Sequence, residues 1–135
     1  MSKIFRISEG ANPETMYFGT LRWLSHPAST GADQITGIDV VIVPGQGHAF
    51  HKHPDQEEII FVVSGKLEQW VEREKRVLSP GDAVFIPKGV VHGSFNAGDE
   101  DLRLIVIFSP SIGESGFVSI EMAGEAPWAG LRAAA

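Results

Sequence analysis

Runs of Val, Ile, Leu and Phe recur along the chain at residues 35–43, 58–63, 67–71, 83–86 and 102–108. Turn-forming residues bound each run: Pro44-Gly45-Gln46-Gly47, Ser64-Gly65, Ser79-Pro80-Gly81-Asp82 and Asn96-Ala97-Gly98-Asp99. Short apolar segments punctuated in this way predict β-strands. Residues 16–24 predict a further strand, and residues 25–34, rich in Ser, Thr, Pro and Gly, an irregular loop. No segment carries a helical stripe over four turns. The chain therefore reads as all-β, a sandwich or a closed barrel.

Several strands are apolar on both faces. Ile59, Phe61 and Val63 share one side of their strand, and Ile60 and Val62 the other. A strand with one wet face alternates with polar residues, so both faces here require cover. A second sheet is the simplest cover for the second face and a partner subunit the next, and Trp23, Trp70 and Trp128 add apolar area. A homodimer is the expectation.

Composition removes some functions. A chain of 135 residues is read as one domain, 1–135, with a core barrel over about 35–109. Its net charge of −6 argues against nucleic-acid and anionic-membrane surfaces, which need clustered Lys and Arg. The absence of cysteine excludes disulfides and thiolate ligands. The start Met1-Ser-Lys-Ile-Phe-Arg-Ile-Ser lacks an apolar leader core, and no stretch is long enough to span a membrane, so a cytoplasmic location is expected. The mixed charges at residues 72–76 read as a solvated hairpin turn.

The chemistry concentrates between Gly45 and Asn96. His51 and His53 stand two apart, so in a strand they share a face at roughly 7 Å between Cα atoms, while Lys52 points away. Two imidazoles so placed converge on one ion at roughly 2.1 Å. Glu58 follows the turn-forming stretch Pro54-Asp55-Gln56-Glu57. His92 comes from a distant strand on which His92, Ser94 and Asn96 form one polar row. Three imidazoles and a carboxylate meeting in a barrel make a divalent metal site. His48, of parity opposite to His51, is expected near the mouth and not as a ligand. His26 is expected to be a packing or surface residue, and the strand residues Arg22, Gln69 and Arg103 are expected to face outward.

This segment resembles the two-part signature of the cupin superfamily. Gly45, His51, His53, Glu58 and Gly65 satisfy every offset of the first part, and Gly81, Pro87, Gly89, His92 and Asn96 those of the second. Fifteen residues separate Gly65 from Gly81, as in compact single-domain members with one conserved barrel. The resemblance implies a jelly-roll barrel, a double-stranded β-helix, with metal ligands His51, His53, Glu58 and His92. Glu57 rivals Glu58 on alternation alone; the six-residue offset to Gly65 favours Glu58. Asn96 is expected to hold a neighbouring strand or a ligand by hydrogen bonds, and His48 to lie behind the ligands.

One divalent ion is implied, Fe, Ni, Mn or Zn, with no choice among them. The resemblance implies a metal-dependent enzyme acting on a small organic molecule. The preferred reading is a quercetinase-like dioxygenase, an oxidoreductase whose modestly hydrophobic substrate chelates the ion; no residue beyond the ligands is assigned a catalytic role. The alternatives are an isomerase or epimerase, a lyase, or a non-catalytic metal- or small-molecule-binding module. Lyases of this family that use pocket tyrosines find only Tyr17 here. The segment after Pro110 is expected either to close over the mouth, with Phe117 or Trp128 as lid, or to pack against a partner.

Overall fold

The computed structural model describes residues 4–132. In chain order the elements are β1 (Glu14–Met16), β2 (Gly19–Ser25), α1 (Pro27–Thr30), β3 (Thr36–Ile42), β4 (Gly47–Lys52), β5 (Glu57–Ser64) and β6 (Leu67–Val71). They continue with β7 (Glu74–Leu78), β8 (Ala83–Ile86), β9 (His92–Asn96), β10 (Leu102–Ser109), β11 (Ile120–Glu121) and α2 (Trp128–Leu131). One sheet runs β1-β2-β3-β10-β5-β8 and the other β11-β4-β9-β6-β7, with every pairing antiparallel. The two sheets form a jelly-roll barrel of the cupin type.

Side-chain alternation decides what each strand buries. In β10, Leu102, Leu104, Val106 and Phe108 point inward and are buried; in β5, Ile60 and Val62 do so, and in β3, Ile38, Val40 and Ile42. Each such side chain contributes about 1.5–3 kcal/mol of transfer free energy. Gly65 turns β5 into β6 at φ +90, where an added Cβ would lie 2.8 Å from the Asp101 carbonyl oxygen. That contact, with the left-handed backbone, requires glycine.

A second, smaller cluster lies outside the barrel. Phe50, Trp70, Val91 and Phe95 project from the back of the second sheet, and Met122, Trp128 and Leu131 of the C-terminal segment cover them. The Arg132 guanidinium sits 3.9 Å from the centre of the Phe95 ring and pairs with Glu68 at 2.7 Å. Trp128 therefore packs behind the sheet, away from the barrel mouth.

Several expectations need correction. Residues 16–24 are not one strand: the chain turns at Tyr17-Phe18, and β1 pairs back on β2. The loop at 25–34 holds a single helical turn, closed by Gly31 at φ 77. Only Glu72-Arg73 makes the hairpin turn, Glu72 at φ 53, and Glu74, Lys75 and Arg76 already belong to β7. Gln69 faces inward and is buried, because the C-terminal segment covers Trp70 on the other side of β6. Arg22 and Arg103 do face outward, clasping Asp39 at 3.1 and 2.8 Å.

Candidate metal centre

β4 and β9 pair side by side, with His51 opposite His92. His53 follows β4 directly, and β5 turns Glu58 inward while Glu57 is exposed. Ligand atoms of His51, His53 and His92 all lie within 4.8 Å of one another, and all three residues are buried. The Glu58 Oε1 atom is 2.8 Å from His92 Nε2 and 3.5 Å from His53 Nε2.

The backbone fixes which ring nitrogen each imidazole presents. The His51 Nδ1 contacts the Ala49 carbonyl at 2.6 Å, that of His53 the Val118 carbonyl at 2.7 Å, and that of His92 the Val90 carbonyl at 3.0 Å. A carbonyl only accepts, so each Nδ1 carries the proton and donates. Each Nε2 is left with its lone pair free, the tautomer a metal requires. His53 Nε2, His92 Nε2 and Glu58 Oε1 are buried without an aligned hydrogen-bond partner. Atoms aimed at a common point, not at each other, fit a cation between them.

Charge in the cluster follows burial. Burial holds the His51 imidazole well below its ordinary pKa, and neighbouring imidazoles add to the effect. Burial also lowers His53, against the pull of Glu58. For His92 burial again lowers the pKa, but the adjacent Glu58 carboxylate and the Val90 carbonyl outweigh it, and the net direction is upward. Without an ion, a proton on His92 takes part of the place a cation would fill.

His48 lies closer to the cluster than its parity suggests. It pairs with Ser94, and a β-bulge between His48 and His51 inserts one extra residue. The bulge brings both rings to the same side, so His48 stacks on His51 at 3.9 Å and 17°, with Phe18 behind it at 5.2 Å. Burial pushes its pKa down to about 4, so the ring is neutral at pH 7. Asn96 takes no part in the cluster and ties neighbouring segments instead: its Nδ2 donates to the Ile42 and Glu100 carbonyls and its Oδ1 accepts from the Gly98 amide, each at 2.8 Å. His26 stacks on Trp23 at 4.1 Å, far from this site.

The cluster forms the polar floor of a cavity of about 260 Å³. Its walls are mainly apolar, including Leu21, Val40, Ile60, Val106 and Phe108. The C-terminal segment closes one side with Phe117, whose ring stacks on Phe108 at 5.1 Å and 10°. The segment is tied down by Gln56, a residue whose place in a turn gave no hint of this. The buried Gln56 amide donates to the Pro110 and Gly116 carbonyls at 2.5 and 2.9 Å, and its carbonyl accepts from the Val118 amide at 3.1 Å. Val118 in turn orients His53.

The cupin domain model Cupin_2 matches residues 38–108. The chain belongs to the cupin family. Among curated cupin relatives it is 34% identical over 93 residues to a protein described as polyketide synthase CurC, from Streptomyces cyaneus. That alignment covers 68% of this chain and spans 60% of CurC's length. It is 35% identical over 81 residues to the pectin degradation protein KdgF of Dickeya dadantii, covering 60% of this chain and 73% of that protein. A solved structure of KdgF from Halomonas sp. superposes with a TM-score of 0.70 at 28% identity, over 78% of this cupin and 94% of that chain.

Proposed function

We propose that this cupin is a metal-dependent enzyme acting on a small, mainly apolar organic molecule that places oxygen atoms at the ion. One observation carries the reading: free Nε2 atoms of three buried histidines and the Glu58 carboxylate converge on the floor of a cavity with apolar walls. The ligands are His51, His53, His92 and Glu58, and the ion, Fe, Ni, Mn or Zn, would polarise substrate oxygens bound to it. The protein's own contribution is to fix the imidazole tautomers, exclude water behind Phe108 and Phe117, and present a hydrophobic surface to the substrate body.

The finer proposal is oxygen-dependent cleavage of a flavonol-like substrate, supported by the apolar walls and by the inward-facing Glu58. A specific observation favours a second reading, non-oxidative proton transfer as in an isomerase or lyase. The neutral His48 ring lines the cavity, where it offers a lone pair or an N–H to the substrate. The names of CurC and KdgF suit oxygenated, enolisable substrates without naming a dioxygenase. Elemental analysis of protein purified without chelators comes first, followed by incubation of the iron-loaded protein with flavonols and 1,3-diketones. Oxygen uptake supports cleavage; turnover without oxygen supports the proton-transfer reading; a protein that retains no metal ends both.

We also propose a homodimer through the outer face of the first sheet. Ile59, Phe61, Phe85 and Ile107 adjoin there and are 45%, 41%, 53% and 40% exposed. Covering them removes a contiguous apolar patch from water. Sedimentation equilibrium showing a monomer at micromolar concentration would remove the proposal.

A further inference from the structure

The cavity wall contributed by the C-terminal segment carries a recognition group of its own. Along the extended stretch 117–121, Phe117, Ser119 and Glu121 line the cavity, while Val118 and Ile120 are 42% exposed. This is two-residue alternation, so the Ser119 side chain points inward by backbone geometry.

The Ser119 hydroxyl is buried and has no hydrogen-bond partner. An unpaired buried hydroxyl is unfavourable, because it has given up its water without a replacement. Among the described residues, the other side-chain atoms in that condition are His53 Nε2, His92 Nε2 and Glu58 Oε1, which line the same cavity. Those three belong to the proposed metal donor set, where a cation would satisfy them. Ser119 stands outside that donor set, and a neutral serine hydroxyl is a poor ligand for a divalent ion beside three imidazoles.

Two other hydroxyls at the cavity each have one partner, whereas Ser119 has none. Ser94 Oγ donates to the Gln69 carbonyl at 2.7 Å, and the Tyr17 hydroxyl accepts from the Ala49 amide at 3.1 Å. Ser119 is left to serve whatever enters. Beside it, the stacked Phe108 and Phe117 rings offer a flat apolar surface. A molecule filling this space meets metal-facing donors at one end, aromatic rings along its body and one unpartnered hydroxyl at the wall.

We propose that Ser119 is a specificity-determining residue, its hydroxyl pairing with an oxygen substituent on a cyclic, otherwise apolar ligand held at the histidines. The proposal rests on the reading of His51, His53 and His92 as the metal end of the cavity. A site built around a polar group discriminates against a ligand lacking the matching oxygen, because the hydroxyl is then left unpaired. The preference should be about tenfold in affinity for one good neutral hydrogen bond.

The test uses ferric-iron-loaded protein and 2,3-dihydroxynaphthalene, whose two oxygens chelate iron and give a visible charge-transfer band. Its ring-hydroxylated derivatives, isomers of one another, add one further oxygen at each available position. Titration of the wild type should show at least one isomer binding about tenfold more tightly than the parent. Ser119→Ala should abolish that preference and leave the parent's affinity within about twofold, and Ser119→Thr should keep it. The inference is overturned if the wild type prefers no isomer, or if Ser119→Ala retains the preference. Absence of any charge-transfer band with the parent overturns the metal reading itself, and the inference with it.

Discussion

Two walls of the same cavity are built by different physics. The histidine wall comes from β4 and β9, paired side by side, with the inward face of β5 bringing Glu58 from the other sheet. The opposite wall, residues 110–121, is a mostly irregular segment that joins a sheet only through Ile120 and Glu121 of β11. It is held by Gln56, by a 2.6 Å contact between the Thr36 and Ser111 hydroxyls, and by the Thr36 hydroxyl donating to Gly116. Donors to a cation need rigid placement, and paired strands supply it. A wall that shapes or admits ligands tolerates fewer constraints, and segments of that kind open at lower free energy than core strands. The two walls meet along β11, which pairs with β4 beside His51, and at the Val118 carbonyl, which orients His53.

The difference is broken most severely from the rigid side. Replacing His92 by Ala removes a donor, the imidazole 2.8 Å from the Glu58 carboxylate and the cross-strand neighbour of His51. Zinc or iron affinity should fall by more than about 100-fold, beyond the 10–100-fold typical of losing a group that merely supports a ligand. Competition with a chromophoric chelator measures this. Binding within tenfold of the wild type would place the ion elsewhere.

The histidine wall is also the part of the chain that the sequence announces. A single residue between His51 and His53, a carboxylate after one turn, and Pro87-Lys88-Gly89 ahead of His92 are local patterns, and alternation converts each into a direction. The opposite wall is illegible for a physical reason: Gln56 and Val118 are 62 residues apart, and nothing local records that they meet. The alternation of Phe117, Ser119 and Glu121 was a usable signal, though short. Parity alone does not give the direction of His48, because it assumes an unbroken strand and one bulged residue inverts it. In β6, Gln69 reads as an outward polar residue, and only the distant C-terminal cover over Trp70 puts it inside.

Acid should strike the histidine wall at its neutral rings. His48 has a folded pKa of about 4, below the 6.5 of an exposed imidazole, so the unfolded chain binds more protons between those values. Its contribution is therefore intact above pH 6.5 and is lost as pH falls toward 4. At about 1.4 kcal/mol per pH unit, that loss is on the order of 3 kcal/mol. His51 and His53, also lowered by burial, act in the same direction. His92, raised by Glu58, acts oppositely: it favours the metal-free fold below 6.5, and that advantage fades as pH rises through its elevated value. Urea unfolding of metal-free protein from pH 7.5 to 4 should show net destabilisation. His48→Phe, which preserves the ring stack, should make the decline shallower; an unchanged slope would remove His48 from the account.

The smallest effect sharpens the comparison most, because it loosens one wall and reads the consequence at the other. Gln56→Leu fills similar space but deprives the Pro110 and Gly116 carbonyls and the Val118 amide of their partner. Leaving such groups unpaired should cost about 2 kcal/mol, less than the sum of three because the segment can swing out to water. If Val118 then drifts, His53 loses the acceptor that holds its Nδ1 proton, and metal affinity should drop by about tenfold with every ligand still present. Linkage requires the reverse as well: metal must slow proteolysis within 110–121 of the wild-type protein, and slow it less in Gln56→Leu. A variant whose tail is cut faster but whose metal affinity is unchanged would show that the two walls are independent, with the Val118 contact incidental to the site.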